Sequence, residues 1–131
     1  MPSNGSRFSL AFGRSLGRVV VAIAGVLDAS TAGQLSHRLA DLIEGQGNRQ
    51  LVLDLRETTH IDARGLSVIL DAHKRIQRNA GSLVVSGASP DVIGTFEAAG
   101  LANVFQFTPA WAHPAHGDGP LESGRSAGLG A

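Results

Sequence analysis

The side chains best placed to do chemistry lie in one short stretch, Thr58-Thr59-His60-Ile61-Asp62-Ala63-Arg64-Gly65-Leu66. It holds hydroxyls, a histidine, an acid and a guanidinium. A nucleophilic hydrolase would need a Ser, a His to take its proton and an acid to orient that His, all within hydrogen-bond reach. No Ser is read on a nucleophile elbow, so the hydrolase reading is set aside. His60 is read as a surface residue beside a strand end. Gly45-Gln46-Gly47 lacks the full dinucleotide pattern and follows a helix rather than a strand, and no Walker sequence occurs. What the stretch does offer is a helix start. Asp62 is a natural N-cap whose carboxylate would reach the Arg64 and Gly65 amides. A helix N-terminus presents unpaired N–H groups and partial positive charge. Loops at the carboxyl ends of parallel strands are also where open α/β sheets place their sites.

Composition narrows the partners of such a site. The chain has 131 residues, 43% of them apolar and 17% charged, which fits one domain with one hydrophobic core. Eleven basic and eleven acidic residues leave a formal charge of zero, without the basic excess of a nucleic-acid binder. There is no cysteine, hence no disulfide framework, thiol nucleophile or thiolate metal site. No run approaches the ~20 apolar residues that span a bilayer, and the first residues lack the apolar block of a secretory signal. A cytoplasmic protein without cofactor, metal, membrane or nucleic acid is expected. Residues 109–131 hold 5 of the 17 Gly and 3 of the 5 Pro and are expected to be a disordered tail, with 1–6 a second, shorter tail. His113, His116 and Asp118 fall in the longer one and are read as solvated rather than metal-binding.

The elements that must position the junction follow from periodicity. Phe8, Leu10 and Phe12, then Val19, Val21 and Ile23, alternate as strands, and the Gly-flanked link 13–17 joins them as an antiparallel hairpin. Ala32, Leu35, Leu39, Leu42 and Ile43 fall on one helical face, capped by Asp28, Ser30 or Thr31 and ended near 45–48. Leu51 to Leu55 is a nearly continuous apolar run, as in a strand buried on both faces. A second helix starts near Asp62 with a stripe of Leu66, Ile69, Leu70, His73 and Ile76; His73 is expected to be partly buried and hydrogen-bonded. Leu83-Val84-Val85 is a strand, Ser89-Pro90-Asp91 opens a third helix that Gly100 ends, and Val104 to Phe107 is a last strand. The order β-β-α-β-α-β-α-β predicts an α/β domain over residues 7–108, with a small mixed sheet of four to five strands, an N-terminal hairpin and helices packed against it.

The run LVLDLRETTHIDARGLSVILDAHKRI resembles the core of the STAS domains, the anti-sigma factor antagonists, or anti-anti-sigma factors. Gly25-Val26-Leu27-Asp28-Ala29-Ser30-Thr31-Ala32, Ser86-Gly87-Ala88-Ser89-Pro90-Asp91-Val92 and Ala99-Gly100-Leu101-Ala102-Asn103-Val104-Phe105 resemble three further segments of that family, in the same order. The resemblance covers residues 7 to 108. It implies the STAS fold and a non-enzymatic role: binding an anti-sigma factor of the serine-kinase type and so releasing a sigma factor for transcription. The alternative it leaves is a ligand- or nucleotide-sensing module that relays a signal to another protein. A monomer or weak dimer is expected.

The family's usual control is phosphorylation of a Ser at the start of the second helix, adding ~1.5–2 negative charges to the partner-facing surface. Here Arg64 stands at that position, and Ala63 beside it has no hydroxyl. Control by phosphorylation at residue 64 is therefore expected to be absent. A cation in the first helical turn is modestly disfavoured by the dipole, by about 0.3–1 kcal/mol. The expected partner-binding residues are Asp28, Ser30, Thr31, Asp62, Ala63, Arg64 and Gly65, the last because a bare backbone permits close approach. Ser67, one turn beyond Arg64, is the possible alternative phosphosite. Its default reading, like that of Thr58 and Thr59, is a small residue that covers or caps.

Overall fold

A computed structural model describes residues 8–109. The two terminal segments, with His113, His116 and Asp118, lie outside the described residues. Strands β1 (Ser9–Ser15) and β2 (Arg18–Leu27) form the expected antiparallel hairpin. The link is tighter than the Gly spacing suggests. Only Leu16 and Gly17 turn the chain, both at positive φ (54° and 79°), as a two-residue hairpin that follows the strand twist requires. Gly13-Arg14-Ser15-Leu16-Gly17 spells Gly-x-Ser-x-Gly, but Ser15 is the buried end of a strand in a hairpin, not a strand-to-helix turn, so it is no nucleophile elbow. The same spelling at 124–128 lies outside the described residues.

Helix α1 (Ala32–Ala40) continues into a wider last turn, Asp41–Gly45, in which the Gln46 N–H reaches back to the Asp41 carbonyl at 2.8 Å. Strand β3 (Gln50–Asp54) follows, and Leu51 to Leu55 are all buried, as the apolar run requires. After a tight turn comes β4 (Thr58–Ile61), within the segment read from sequence as a junction. It has a single aliphatic residue, so its hydrophobic pattern is faint. Helix α2 (Ala63–Arg78), strand β5 (Ser82–Ser86), helix α3 (Pro90–Ala98) and strand β6 (Gln106–Thr108) complete the order. β6 begins two residues later than the apolar run suggested, because Phe105 turns into the core instead of joining the sheet.

The sheet runs β1-β2-β3-β5-β6, with β4 paired to β2. All pairings after the hairpin are parallel. β2 is long enough to serve two neighbours in line. Val19 to Ala22 pair with β3, and Gly25 to Leu27 pair with β4 across a register shift. At the changeover the buried Thr58 hydroxyl donates to the Ile23 carbonyl at 2.6 Å, so an acceptor between the two ladders is not left bare.

The three helices share one core with one face of the sheet. Val19, Val21 and Ile23 of β2, Leu51 and Leu53 of β3 and Val85 of β5 meet Leu35 and Leu39 of α1, Ile69 and Ile76 of α2, and Phe96 of α3. Phe96 packs edge-on against Phe105 and Phe107, with centroids 5.4 and 5.2 Å apart. His73 departs from expectation. It is half-buried and tilted over Phe105 at 4.9 Å, but its Nδ1 is buried with no hydrogen-bond partner among the described residues. Burial accordingly holds its pKa below the usual imidazole value.

Leu16 is 88% exposed and strained in the left-handed region, where asparagine is more at ease. Leu16→Asn is expected to raise stability by ~0.5–1 kcal/mol, measured as a higher midpoint in urea at unchanged slope. A lower midpoint would mean that the leucine makes a contact the hairpin geometry does not reveal.

Candidate functional site

The parallel pairing of β2 with β4 sets Leu27 beside Ile61, so the residues after them, Asp28 and Asp62, emerge together at the carboxyl edge of the sheet. The Asp62 N–H donates to the Leu27 carbonyl at 3.1 Å and ties the two strand ends. Each aspartate then shapes the chain that follows it.

Asp62 is the N-cap of α2. Its Oδ1 accepts from the Arg64 N–H at 2.9 Å and the Gly65 N–H at 3.1 Å, as its position predicts. Gly65 is buried under the turn. A Cβ there would lie 2.7 Å from both the Leu27 Cγ and the Leu27 carbonyl oxygen. The close approach that Gly65 permits is thus to the chain's own β2; it sits beneath the face formed by its neighbours. Ala63 and Arg64 are exposed on the first turn, and Ser67 is exposed one turn on. Arg64 lends its backbone N–H to Asp62, but its guanidinium makes no ion pair among the described residues.

Asp28 builds the loop leading into α1. Its Oδ1 accepts from the Ser30 hydroxyl at 2.7 Å and the Ser30 N–H at 2.9 Å. The Ser30 hydroxyl, then the Ser30 N–H, then Thr31 hold its carboxyl below the ordinary carboxylate range. Thr31 donates its hydroxyl to the Val26 carbonyl at 2.9 Å and accepts from the Asp28 N–H at 2.9 Å. Neither it nor Ser30 caps α1 through its side chain, contrary to the expected cap. The first amides of α1 turn to backbone instead: Ala32 N–H to the Asp28 carbonyl at 2.8 Å. Ser and Thr before a helix usually cap it, which is the basis of that expectation. Here the Asp28 turn has already claimed them.

The structure therefore gathers Asp28, Ser30, Thr31, Asp62, Ala63 and Arg64 onto one edge of the molecule, with Gly65 as their support. His60 is exposed on β4. Among the described residues no three His, Asp or Glu side chains cluster as a metal site, and no helix is long and apolar enough to cross a membrane.

The STAS domain family matches residues 13–114. The chain belongs to the STAS domain family. Its curated relatives include BtrV of Bordetella bronchiseptica, named an anti-sigma factor antagonist, 33% identical over 89 residues that cover 68% of this chain and 76% of the relative. The anti-sigma-B factor antagonist of Bacillus subtilis is 30% identical over 69% of this chain and 81% of its own length. Among solved structures, the anti-sigma factor antagonist SpoIIAA in its unphosphorylated form superposes with a TM-score of 0.70 at 20% identity, over 83% of this chain and 92% of that one. SpoIIAA has also been solved phosphorylated, with a TM-score of 0.65 at 19% identity over 83% of this chain and 96% of that one.

The cap separates two roles of Asp62. Asp62→Ala is expected to cost about 1 kcal/mol of stability through loss of the α2 cap, whereas Asp62→Asn keeps the acceptor and costs only a few tenths. Chemical denaturation of both variants measures this. Equal losses would show that the negative charge, not the cap, stabilises the turn.

Proposed function

We propose that this STAS domain is an anti-sigma factor antagonist: it binds an anti-sigma factor of the serine-kinase type and so frees a sigma factor for transcription. It acts by docking, not by turning over a substrate. The partner-facing surface is the Asp28–Thr31 loop, the first turn of α2 and the exposed side of that helix. The family membership and the names of its relatives support the role. The observation that carries the surface is the junction of β2, β4 and α2: two aspartates locked by short hydrogen bonds at adjacent strand ends, with an exposed Arg64 on the first turn of α2 that makes no ion pair among the described residues.

Position 64 carries no phosphate acceptor, so the switch does not operate there. The structure also sorts the remaining hydroxyls. Thr58 is buried and committed to Ile23, and Ser30 and Thr31 are engaged in the Asp28 turn. Thr59 and Ser67 are exposed. Ser67 is thus the accessible helix hydroxyl nearest the family's acceptor position. In our reading it is a small surface residue, and the complex with the partner forms irrespective of the cell's kinase activity.

Copurification with a kinase-type anti-sigma factor, followed by titration, tests this. Arg64→Glu is expected to weaken the complex at least about tenfold, ~1.4 kcal/mol, while Arg64→Ser supplies an acceptor and makes the complex sensitive to ATP. Mass spectrometry after incubation with partner and ATP should find the wild-type chain unmodified. Phosphate on Ser67 or Thr59 would mean that control has moved rather than been lost, and unchanged affinity of Arg64→Glu would place the interface elsewhere.

A further inference from the structure

A second surface lies toward the other end of β2 from Leu27. β1 is an edge strand: among the described residues the strand that pairs with it is β2. On the face turned toward α1 it carries, at every second residue, Leu10, Phe12 and Arg14. Two adjoining grooves of about 430 and 290 Å³ run between this strand and α1, both bordered by Phe12 and Arg38. Leu10 and Val19 make apolar wall, and Phe12 remains 39% exposed. Arg38 lies over the Phe12 ring, 4.4 Å from its centroid. His37 borders the larger groove and Arg14 the smaller. Neither Arg14 nor Arg38 has a carboxylate partner among the described residues; Arg14 donates only to the neutral Asn48 amide at 3.1 Å. Asp41, the one acid at the rim, accepts from the Gln46 amide at 2.8 Å.

An open strand edge is a template for another strand, and proteins usually guard it with charge or cover it. Here the adjacent charges are cations, placed so that they would pair with an incoming strand's acids as readily as they deter a basic one. We infer that the β1 edge and its groove dock an extended, acidic segment of a partner protein by strand addition. Backbone bonds to β1 would give affinity, and side-chain alternation would give the choice of sequence. An aliphatic residue would rest against Leu10 and Phe12. An acid two residues on would meet Arg38 or Arg14, both of which offer a planar fork for a carboxylate. None of the residues lining this groove belongs to the Asp62 face.

The test is a nuclear magnetic resonance titration of the full chain with two series of ten-residue extended peptides, one alternating aliphatic residues with glutamate and one with lysine. The glutamate series is expected to shift the amides of Leu10, Phe12 and Arg14 and to bind at least tenfold tighter than the lysine series. The doubly substituted chain Arg14→Glu, Arg38→Glu, folded by its unchanged melting temperature, should reverse that order. Silent β1 amides with both series, or equal binding of both, overturns the inference. Binding that appears only in the full chain bearing Asp118→Asn and Glu122→Gln assigns the groove to this chain's own end and overturns it too, as does a concentration-dependent dimer abolished by Arg38→Glu.

Discussion

The end-to-end arrangement of two parallel ladders on one long strand governs the rest of this molecule. β2 pairs with β3 along its first half and with β4 along its second, and the Thr58 hydroxyl covers the gap between them. If β4 did not return to β2, Asp62 would not emerge beside Asp28 and α2 would not begin against Leu27. The absence of a Cβ at residue 65 is part of the same constraint, because any larger side chain would push the helix start off the strand. A buried hydroxyl of this kind is costly to remove without replacement, since the Ile23 carbonyl would lose its donor. Position of the face, orientation of α2 and burial of Ile61 therefore stand or fall together.

On that frame the electrostatics are local. The Asp62 carboxylate satisfies two of the orphan amides at the helix start and sits at the favourable end of the dipole. Arg64, in the same turn, is a cation where the dipole disfavours one, and no neighbour among the described residues compensates it through an ion pair. Arg75 offers the contrast: late in the same helix it pairs with Glu44 at 2.9 Å and Asp71 at 2.8 Å and ties α2 to the turn after α1. The exposed Arg64 guanidinium, without an ion pair among the described residues, keeps its donors free of the described carboxylates.

Most of this was legible in the residues. The hairpin, the three helices and the doubly buried β3 follow from periods of two and three to four, and the Asp62 and Ser89 caps follow from residue type before an apolar stripe. The junction was legible as a helix start and, through four matching segments, as that of an anti-sigma factor antagonist-like domain. β4 was not, because Thr58-Thr59-His60-Ile61 buries only its two ends and a four-residue strand leaves too short a pattern. Nor could sequence tell that the hydroxyls of Ser30 and Thr31 serve the Asp28 turn rather than α1, since both uses require the same residues in the same places. The burial of His73 Nδ1, without a partner among the described residues, depends on the ring's packing over Phe105, a tertiary contact between residues 32 positions apart. The groove beneath β1 likewise arises only when α1 folds back across the hairpin.

Mapping amide chemical shifts of the full chain on addition of an anti-sigma factor of the serine-kinase type addresses the face itself. Saturating partner should move or broaden the amides of residues 28–31 and 62–67 as one contiguous patch, with the β5 and β6 amides unmoved. A complex that leaves that patch unchanged and perturbs the sheet's far edge instead would contradict the assignment of the β2–β4–α2 junction as the surface through which this protein works.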